Sequence, residues 1–177
     1  MQRRALVLAT LAIAAAAIVA VATYFHSAPG TSGPASLTGR AAPSFTVPSL
    51  DGSQSSVAAY RGRIVLLNLW ATWCPPCRAE MPDLQRFYQR YARSGVTVIG
   101  VDQGESGSRA SQFARSLGIR YPILLDRSQQ YGAVYAAAGL PTTIVIDRAG
   151  TIRAAFDGPL SFDQMAAAVS SLLQPRS

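Results

Sequence analysis

The sequence of 177 residues contains no lysine, a single histidine and only two cysteines. A structural zinc site takes four ligands, drawn mainly from cysteine, histidine and carboxylate. The one histidine, His26, lies in a stretch of small polar residues, so it cannot complete such a site with Cys74 and Cys77. A copper-carrying site would also require a histidine within the folded domain. We therefore expect no metal and no organic cofactor.

All sixteen basic residues are arginine, and nine acidic residues leave a net charge of +7. The arginines of the folded region are scattered along the chain from Arg40 to Arg176. Nucleic-acid binding proteins usually cluster their basic residues and interleave them with aromatic ones. The scatter favours an ordinary basic surface with no nucleic-acid partner, and it is compatible with a mild attraction to anionic lipid headgroups.

The amino terminus has the pattern of a membrane signal-anchor. Arg3 and Arg4 precede an uncharged run, residues 5–25, which at ~1.5 Å per residue spans roughly the ~30 Å hydrocarbon core. The arginines place residues 1–4 in the cytoplasm and the rest of this single-pass chain outside the cytoplasmic membrane. A signal peptide cleaved near Ala22 would instead give a secreted form. We favour the anchor because the apolar run continues through Tyr24 and Phe25.

A flexible tether is predicted over residues 26–38, because serine, glycine, proline and threonine leave little to bury there. The folded domain is predicted over 39–175. It opens with a hairpin around the turn Asp51-Gly52. The nearly continuous apolar run Ile64–Trp70 then predicts a central strand that is covered on both faces.

Helical and extended patterns alternate after that strand. The predicted helices cover Cys77–Arg93, Ser108–Leu117, Gln129–Ala138 and Phe162–Leu173, and the predicted extended segments cover Val96–Val101, Tyr121–Leu125, Thr142–Ile146 and Thr151–Phe156. This order predicts an α/β domain with a central mixed sheet flanked by helices.

The two cysteines stand three residues apart at the start of the first long helix, within reach of a disulfide bond. Such a bond closes a very small loop, so it would add little stability and a purely structural role is disfavoured. The spacing therefore favours reversible dithiol and disulfide chemistry.

Position assigns different roles to the two thiols. Cys74 precedes the helix, where free N–H groups and the macrodipole stabilise a thiolate, so it is expected to be the exposed nucleophile. Cys77, inside the first turn, is expected to resolve the mixed disulfide. Pro75 and Pro76 remove two N–H donors near Cys74, which favours a reductant over a strong oxidant.

Glu80 follows Cys77 by three residues, on the same side of the helix. If that side is buried, desolvation raises the pKa of Glu80 and lets it accept the proton of Cys77. Alternatively, Glu80 is an ordinary first-turn acid that the helix dipole favours. Trp73 beside Cys74 is either a packing residue or a surface for a partner.

Several motifs resemble the thioredoxin superfamily and, within it, the membrane-anchored TlpA/ResA-like thiol-disulfide oxidoreductases. The resemblance rests on the entry segment Ala41–Phe45, the core Leu67–Cys77, the run Glu80-Met81-Pro82, an inserted segment like Ser111–Asp126, and the run Gly139-Leu140-Pro141-Thr142-Thr143. It implies a thioredoxin-like fold with an N-terminal hairpin and a central insertion. It also implies that Pro141 is a cis-proline beside the active site and that Leu140 and Pro141 join Trp73, Pro75 and Pro76 in contacting clients.

The same resemblance favours a buried, functional Glu80, and one position departs from thioredoxin itself. Thioredoxin has a buried aspartate on the strand before the active site, where this chain has Asn68. Because asparagine cannot take up a proton, any base role shifts toward Glu80.

The function implied is the reduction of disulfides in extracytoplasmic proteins, with apocytochrome c as the suspected client and a membrane thiol-disulfide protein as the electron donor. Three alternatives stay open. The chain could exchange or oxidise thiols of secreted proteins in general, or it could be a thioredoxin-like peroxidase, although paired cysteines disfavour that antioxidant role. It could also bind a client without catalysis.

Overall fold

The computed structural model describes residues 34–174. Its strands are β1 (Val47–Pro48), β2 (Gln54–Ser55), β3 (Ile64–Trp70), β4 (Val96–Gln103), β5 (Ile123–Asp126), β6 (Thr142–Ile146) and β7 (Ile152–Asp157). Its α-helices are α1 (Pro75–Tyr91), α2 (Gly107–Ser116), α3 (Gln130–Val134) and α4 (Phe162–Leu173), and short 3₁₀ turns cover Pro34–Leu37, Val57–Tyr60 and Ala92–Ser94. The predicted cytoplasmic residues 1–4, the anchor 5–25 and the tether up to residue 33 lie outside these residues. Within 34–174, no helix is both long enough and apolar enough to cross a membrane.

Five strands form one mixed sheet in the order β5-β4-β3-β6-β7. β4 pairs parallel to β3, with Ile64 opposite Val96, and β5 pairs parallel to β4. β6 pairs antiparallel on the other side of β3, with Leu69 opposite Thr142, and β7 pairs antiparallel to β6. β1 and β2 form a separate antiparallel hairpin. The mixed sheet and the hairpin confirm the predicted architecture.

Strand β3 has the predicted bounds, and all seven of its residues are buried. Alternate side chains enter two cores, because successive residues of a strand point to opposite faces. Leu66 and Trp70 pack in a core with α1, α2 and α4. Leu67 and Leu69 pack in a second core with Val57–Tyr60, Tyr131 of α3 and Tyr135, which follows α3. Burying each large apolar side chain contributes about 1.5 to 3 kcal/mol. The sheet is therefore covered on both faces, as its continuous apolar strand indicated.

Two predicted helices differ by more than one residue from those observed, whereas α2 is displaced by a single residue at each end. α1 begins at Pro75, two residues before the predicted start, because proline is well tolerated in the first helical turn, where no N–H is needed. α3 covers only Gln130–Val134 of the predicted Gln129–Ala138. It stops because Ala136 adopts a positive φ of 51°, which a right-handed helix cannot continue.

The chain enters the domain along β7. Gly39 donates its N–H to the carbonyl of Ile152 and Ile152 donates back to Arg40, at 2.8 and 2.9 Å. Ahead of these bonds, Leu37 packs against the second core. The folded domain therefore begins before residue 39, where composition alone placed its start. Leu37, a single apolar side chain in a polar stretch, is enough to fix the turn Pro34–Leu37 against the core.

Candidate active site

The two cysteines lie where β3 gives way to α1, at the carboxyl end of the central strand. Cys74 is the N-cap of α1, and its sulfur accepts the N–H of Cys77 at 3.2 Å. The two residues form a disulfide, with an S–S distance of 2.07 Å and Cα atoms 5.3 Å apart. The pairing and the position at the helix start agree with the sequence-based prediction.

Cys74 is not exposed in this disulfide form, so the expectation of an exposed nucleophile is wrong for it. Only 2% of Cys74 and 1% of Cys77 is accessible, and both residues belong to the core beneath α1. The Cys74 sulfur is directed toward the N–H of Cys77 and bonded to its sulfur, which draws it into the helix start.

Three of the residues predicted to contact clients surround the buried disulfide at the surface. Trp73 is 64% exposed, and among residues 34–174 it is the only large apolar side chain exposed to this degree. Pro75 and Pro76 are exposed as well. An exposed aromatic next to a reactive bond offers apolar area to a partner, so this surface suits recognition of a protein client.

Glu80 is buried in the first core, with 4% of its surface accessible. Its carboxylate accepts the N–H of Leu160 at 3.2 Å and approaches the amide nitrogen of Asn68 at 3.5 Å. Burial raises the pKa of Glu80 to about 7, although these two hydrogen bonds oppose the shift. The alternative of an ordinary first-turn acid is therefore wrong, since Glu80 is buried and lies beyond the first turn of α1. A carboxyl that titrates near neutrality on the helix of Cys77 can exchange a proton with a nearby thiol.

Asn68 connects the central strand β3 to β6 and to α1 at this site. Its amide donates to Thr143 of β6 at 3.0 Å and points toward Glu80 of α1. The amide gives Glu80 a polar contact without a second titratable group. The arrangement leaves Glu80 as the buried acid on this face of β3, as the asparagine in the sequence indicated.

Pro141 follows a cis peptide bond from Leu140, which confirms the conformation that the family resemblance implied. Thr142, the next residue, pairs with Leu69, so Pro141 lies at the end of the sheet where β3 runs into the dithiol. Pro141 itself is buried, and Leu140 is half-buried against both cores. The sheet register thus brings the second motif to the same end of the fold as the first.

Sequence reasoning missed a buried carboxylate that holds the loop before Cys74. Glu105, which follows β4, accepts the backbone N–H of Thr72 at 2.5 Å and the hydroxyl of Thr72 at 2.6 Å. Arg109 of α2 contacts both residues, at 3.2 Å from Glu105 and 3.1 Å from Thr72. Burial acts to raise the pKa of Glu105, but the bonds from Thr72, together with Asp102 and the charge of Arg109, outweigh burial and hold that pKa below its usual value.

A second carboxyl supports Glu105 from the end of β4. Asp102 is fully buried and accepts the N–H of Glu105 at 3.0 Å. Burial raises the pKa of Asp102 first, and the neighbouring Glu105 carboxyl raises it further. Two carboxyls this close favour one proton between them, which leaves the charge on Glu105. The sequence holds one signal for this pair: two acids stand at the end of a predicted strand. Because β3 and β4 are parallel neighbours, their carboxyl ends meet at one edge, which brings these acids near the loop before Cys74.

The arrangement can carry out reversible two-electron exchange with another protein. A client thiolate or disulfide would meet the sulfurs beneath Trp73, the helix start stabilises a thiolate on Cys74, and Glu80 can take or return a proton. The loop that carries Cys74 is fixed by Glu105. The site is therefore a dithiol whose loop is held by a pair of buried carboxyls and whose helix carries a third buried acid, Glu80.

Sequence comparison finds a family model and thiol-disulfide oxidoreductases that are similar to this chain. A family model described as the AhpC/TSA family matches residues 38–155. The thiol-disulfide oxidoreductase ResA of Geobacillus thermodenitrificans is 37% identical over 123 residues, which cover 70% of this chain and 71% of that protein. ResA of Bacillus subtilis is 33% identical over 114 residues, 64% of each chain.

Solved structures show the same fold. A Chlorobium tepidum protein assigned as the thiol:disulfide interchange protein DsbE superimposes with a TM-score of 0.73 at 26% identity, over 77% of this chain and 98% of that one. A DsbF homologue from Corynebacterium diphtheriae gives a TM-score of 0.70 at 30% identity, over 75% of this chain and 87% of that one.

Proposed function

Since this chain belongs to the AhpC/TSA family of thioredoxin-fold proteins, and within it is a ResA-like protein thiol-disulfide oxidoreductase, we propose that it reduces protein disulfides outside the cytoplasmic membrane. The proposed clients include apocytochrome c, as the resemblance to cytochrome c biogenesis proteins suggests. The proposed electron donor is a membrane thiol-disulfide protein, and the predicted segment 5–25 anchors the chain.

The observation that carries this proposal is the combination of the Cys74–Cys77 disulfide with a buried Glu80 whose pKa is raised to about 7. In the first step, the reduced Cys74 thiolate attacks one sulfur of a client disulfide, and the other client sulfur leaves as a thiolate. Cys77 then attacks Cys74 of the mixed disulfide after losing its proton, for which Glu80 is the candidate acceptor. The client leaves with two thiols, and the disulfide described here forms.

The small number of N–H groups around Cys74 favours electron flow from the dithiol to the client. Pro75 and Pro76 have none, and the Cys74 sulfur accepts the N–H of Cys77. Fewer donors stabilise the Cys74 thiolate less, and a less stabilised reduced form gives up its electrons more readily. This supports a reductant.

Substrate trapping tests the proposal. Cys77→Ala removes the resolving thiol, so clients should accumulate as mixed disulfides on Cys74, and Cys74→Ala is the matched control that should trap nothing. Recovery of apocytochrome c supports the proposed role. Recovery of a broad set of secreted proteins without apocytochrome c would instead indicate general thiol-disulfide exchange, and a redox midpoint near that of the strongly oxidising periplasmic enzymes would contradict a reductant.

A further inference from the structure

Six of the thirteen arginines in residues 34–174, although scattered along the sequence, gather at one end of the folded domain. This end is where β3 and β4 begin and where β6 turns into β7, and we call it the arginine pole. It comprises Arg40, Arg61, Arg63, Arg93, Arg148 and Arg153, which lie in the segments that precede β3 and β4 or flank the β6–β7 turn. The dithiol lies at the opposite end of β3.

Contacts between these segments show that the pole is one surface. Arg61 donates to the carbonyl of Ala149 in the β6–β7 turn at 3.3 Å, and Gly62 donates its N–H to the carbonyl of Arg148 at 2.9 Å. The guanidinium of Arg148 reaches across to α4, where it donates to Leu172 at 2.6 Å. The same guanidinium lies next to Gly95, the residue just before β4: a Cβ built on this glycine would be 3.9 Å from it.

The remaining arginines join the same surface. Arg63 donates to the carbonyls of Ala92 and Val96 at 2.9 and 2.8 Å, next to the exposed Arg93. Arg40 is bonded through its backbone carbonyl to Ile152, the neighbour of Arg153. Five of the six side chains are exposed, and Arg63 is half-buried.

The segments that form the pole contain one acid, Asp147, and it does not cancel their positive charge. Asp147 is 5% exposed, contacts Arg153 at 3.1 Å and accepts the N–H groups of Ala149 and Thr151. Its charge is therefore taken up inside the turn. Six arginines and one acid give the pole a formal charge of +5.

The whole net charge of the domain resides on this surface. Residues 34–174 contain thirteen arginines and nine acids, a net charge of +4. Subtracting the +5 of the pole leaves seven arginines and eight acids, or −1, for everything else. A surface that concentrates one sign of charge to this extent attracts a partner of the opposite sign.

The chain itself enters the domain at this pole. The turn Pro34–Leu37 and the bonds of residues 39–42 with β7 place the first described residues beside Arg40 and Arg153. The predicted membrane anchor precedes them in sequence. Single-stranded nucleic acid is disfavoured as the occupant because it is bound by stacking on exposed aromatics, and Trp73, the large apolar side chain most exposed within 34–174, lies at the other end.

We propose that the arginine pole binds the anionic phospholipid headgroups of the membrane to which the chain is tethered. Headgroup phosphates pair with exposed arginines, each of which favours binding by about 1 kcal/mol, or roughly fivefold. Arg148 and Arg153 line one open hollow with Asp147 and Ser171, and because Asp147 is paired with Arg153, a phosphate there would meet Arg148 and Ser171. The dithiol then faces away from the membrane, about 20 Å along β3 from the pole. The tether and the presentation of the dithiol to clients rest on the proposed function, whereas the binding of headgroups by the arginine pole does not.

Vesicle sedimentation with residues 34–177 tests the proposal without the anchor. This fragment should fold alone, because both cores lie within it and the Chlorobium tepidum structure matches it over 98% of its own chain. We expect it to bind vesicles that contain phosphatidylglycerol, to bind phosphatidylcholine vesicles far less, and to be released by added salt.

A matched pair of variants locates the surface. R61Q/R93Q removes two charges from the pole and should weaken binding by about tenfold or more. R86Q/R127Q removes two exposed charges outside the pole, one stacked on Phe162 at the start of α4 and one just after β5, and should change binding by less than about twofold. Disulfide reduction by each variant is measured separately and should be unchanged, so a loss of the redox reaction is distinguishable from a loss of membrane binding.

Three outcomes would overturn the proposal. The fragment could fail to bind phosphatidylglycerol vesicles, or it could bind both vesicle types equally. The two double variants could also lose binding equally, which would show that net charge alone is responsible. Binding to duplex nucleic acid with no binding to vesicles would assign the pole to a different partner and would likewise overturn it.

Discussion

The carboxylate of Glu105 accepts two hydrogen bonds from Thr72, one from its backbone N–H at 2.5 Å and one from its hydroxyl at 2.6 Å. Thr72 stands two residues before Cys74, and Glu105 follows the neighbouring strand. A residue with no part in the electron transfer thus fixes the backbone that carries the reactive sulfur. Because both groups are buried, the bonds are shielded from water and from salt.

Glu105→Gln should destabilise the protein. The amide keeps one acceptor but presents N–H groups where Thr72 needs oxygen, so we expect the free energy of unfolding to fall by about 1 to 3 kcal/mol. Urea denaturation of the disulfide form measures this. Asp163→Asn, an exposed acid in the first turn of α4, is the matched control and should cost less than about 0.5 kcal/mol. Equal effects of the two variants would contradict the role assigned to Glu105.

Glu80 should make stability depend on pH. Its pKa rises from 4.5 to about 7 on folding, so between these values the folded state binds more protons than the unfolded one. The free energy of unfolding should therefore fall as pH rises from about 4.5 to 7 and level off above, by up to about 3 kcal/mol in total. Glu80→Gln should lose this part of the slope, keep the part that the raised pKa of Asp102 contributes in the same range, and be the more stable protein at pH 8. Parallel curves for the two proteins would rule out the raised pKa.

The same substitution should slow the resolution step. Glu80 can accept the Cys77 proton only as a carboxylate, so the rate at which Cys77 attacks a mixed disulfide should rise through a pKa near 7. Glu80→Gln should lower that rate by at least about tenfold and abolish the inflection. Stopped-flow measurement on a preformed mixed disulfide at Cys74 separates this step from client binding. An unchanged profile would leave Glu80 without a part in proton transfer.

Pro76→His should make the dithiol more oxidising. The substitution restores an N–H in the first turn of α1 and adds an imidazole beside Cys74, and both stabilise its thiolate. Each unit by which the thiol pKa falls is about 1.4 kcal/mol, equivalent to about 30 mV in the midpoint potential of a two-electron couple. Redox titration against glutathione should show an increase of at least that size. Pro75→Ala, which restores an N–H alone, should give a smaller increase.

The two tryptophans near the dithiol should behave in opposite ways when each is replaced by alanine. Trp73 is 64% exposed, so Trp73→Ala should change stability by less than about 0.5 kcal/mol. It should raise KM for a protein disulfide while leaving the reduction of a small disulfide unchanged, because only the protein reaches the tryptophan. Trp70 is fully buried, and Trp70→Ala should cost about 3 to 5 kcal/mol of stability. Kinetics with both substrates checks the first expectation.

Much of this fold could be predicted because long apolar and periodic segments dominate it. The bounds of β3 and α4 match the prediction, since burial on both faces of a strand and a regular helical pattern leave clear signals in the sequence. The end of α3 could not be predicted, because an alanine-rich segment gives no hint that Ala136 takes a left-handed conformation. Tertiary contacts decide such a residue, and they are not local in sequence.

Some features of the candidate site could likewise be predicted from the sequence, and others could not. The cysteine pair and Glu80 are carried by one helix, so spacing placed them correctly. The burial of Cys74 and the bond between Thr72 and Glu105 depend on the packing of α1 and β4 against β3, which no local pattern reports. The cis bond before Pro141 followed from the family resemblance and could not be read from its position in the chain.

The antiparallel pairing of β3 with β6 also determines whether a truncated chain stays soluble. Residues 64–70 acquire their second neighbour only when residues 142–146 are present, so a polypeptide that ends anywhere between β5 and β6 leaves the most apolar strand with an open edge. Unpaired edges of this kind recruit other strands and lead to aggregation. Truncation between residues 127 and 141 should therefore produce insoluble protein rather than a soluble, inactive domain.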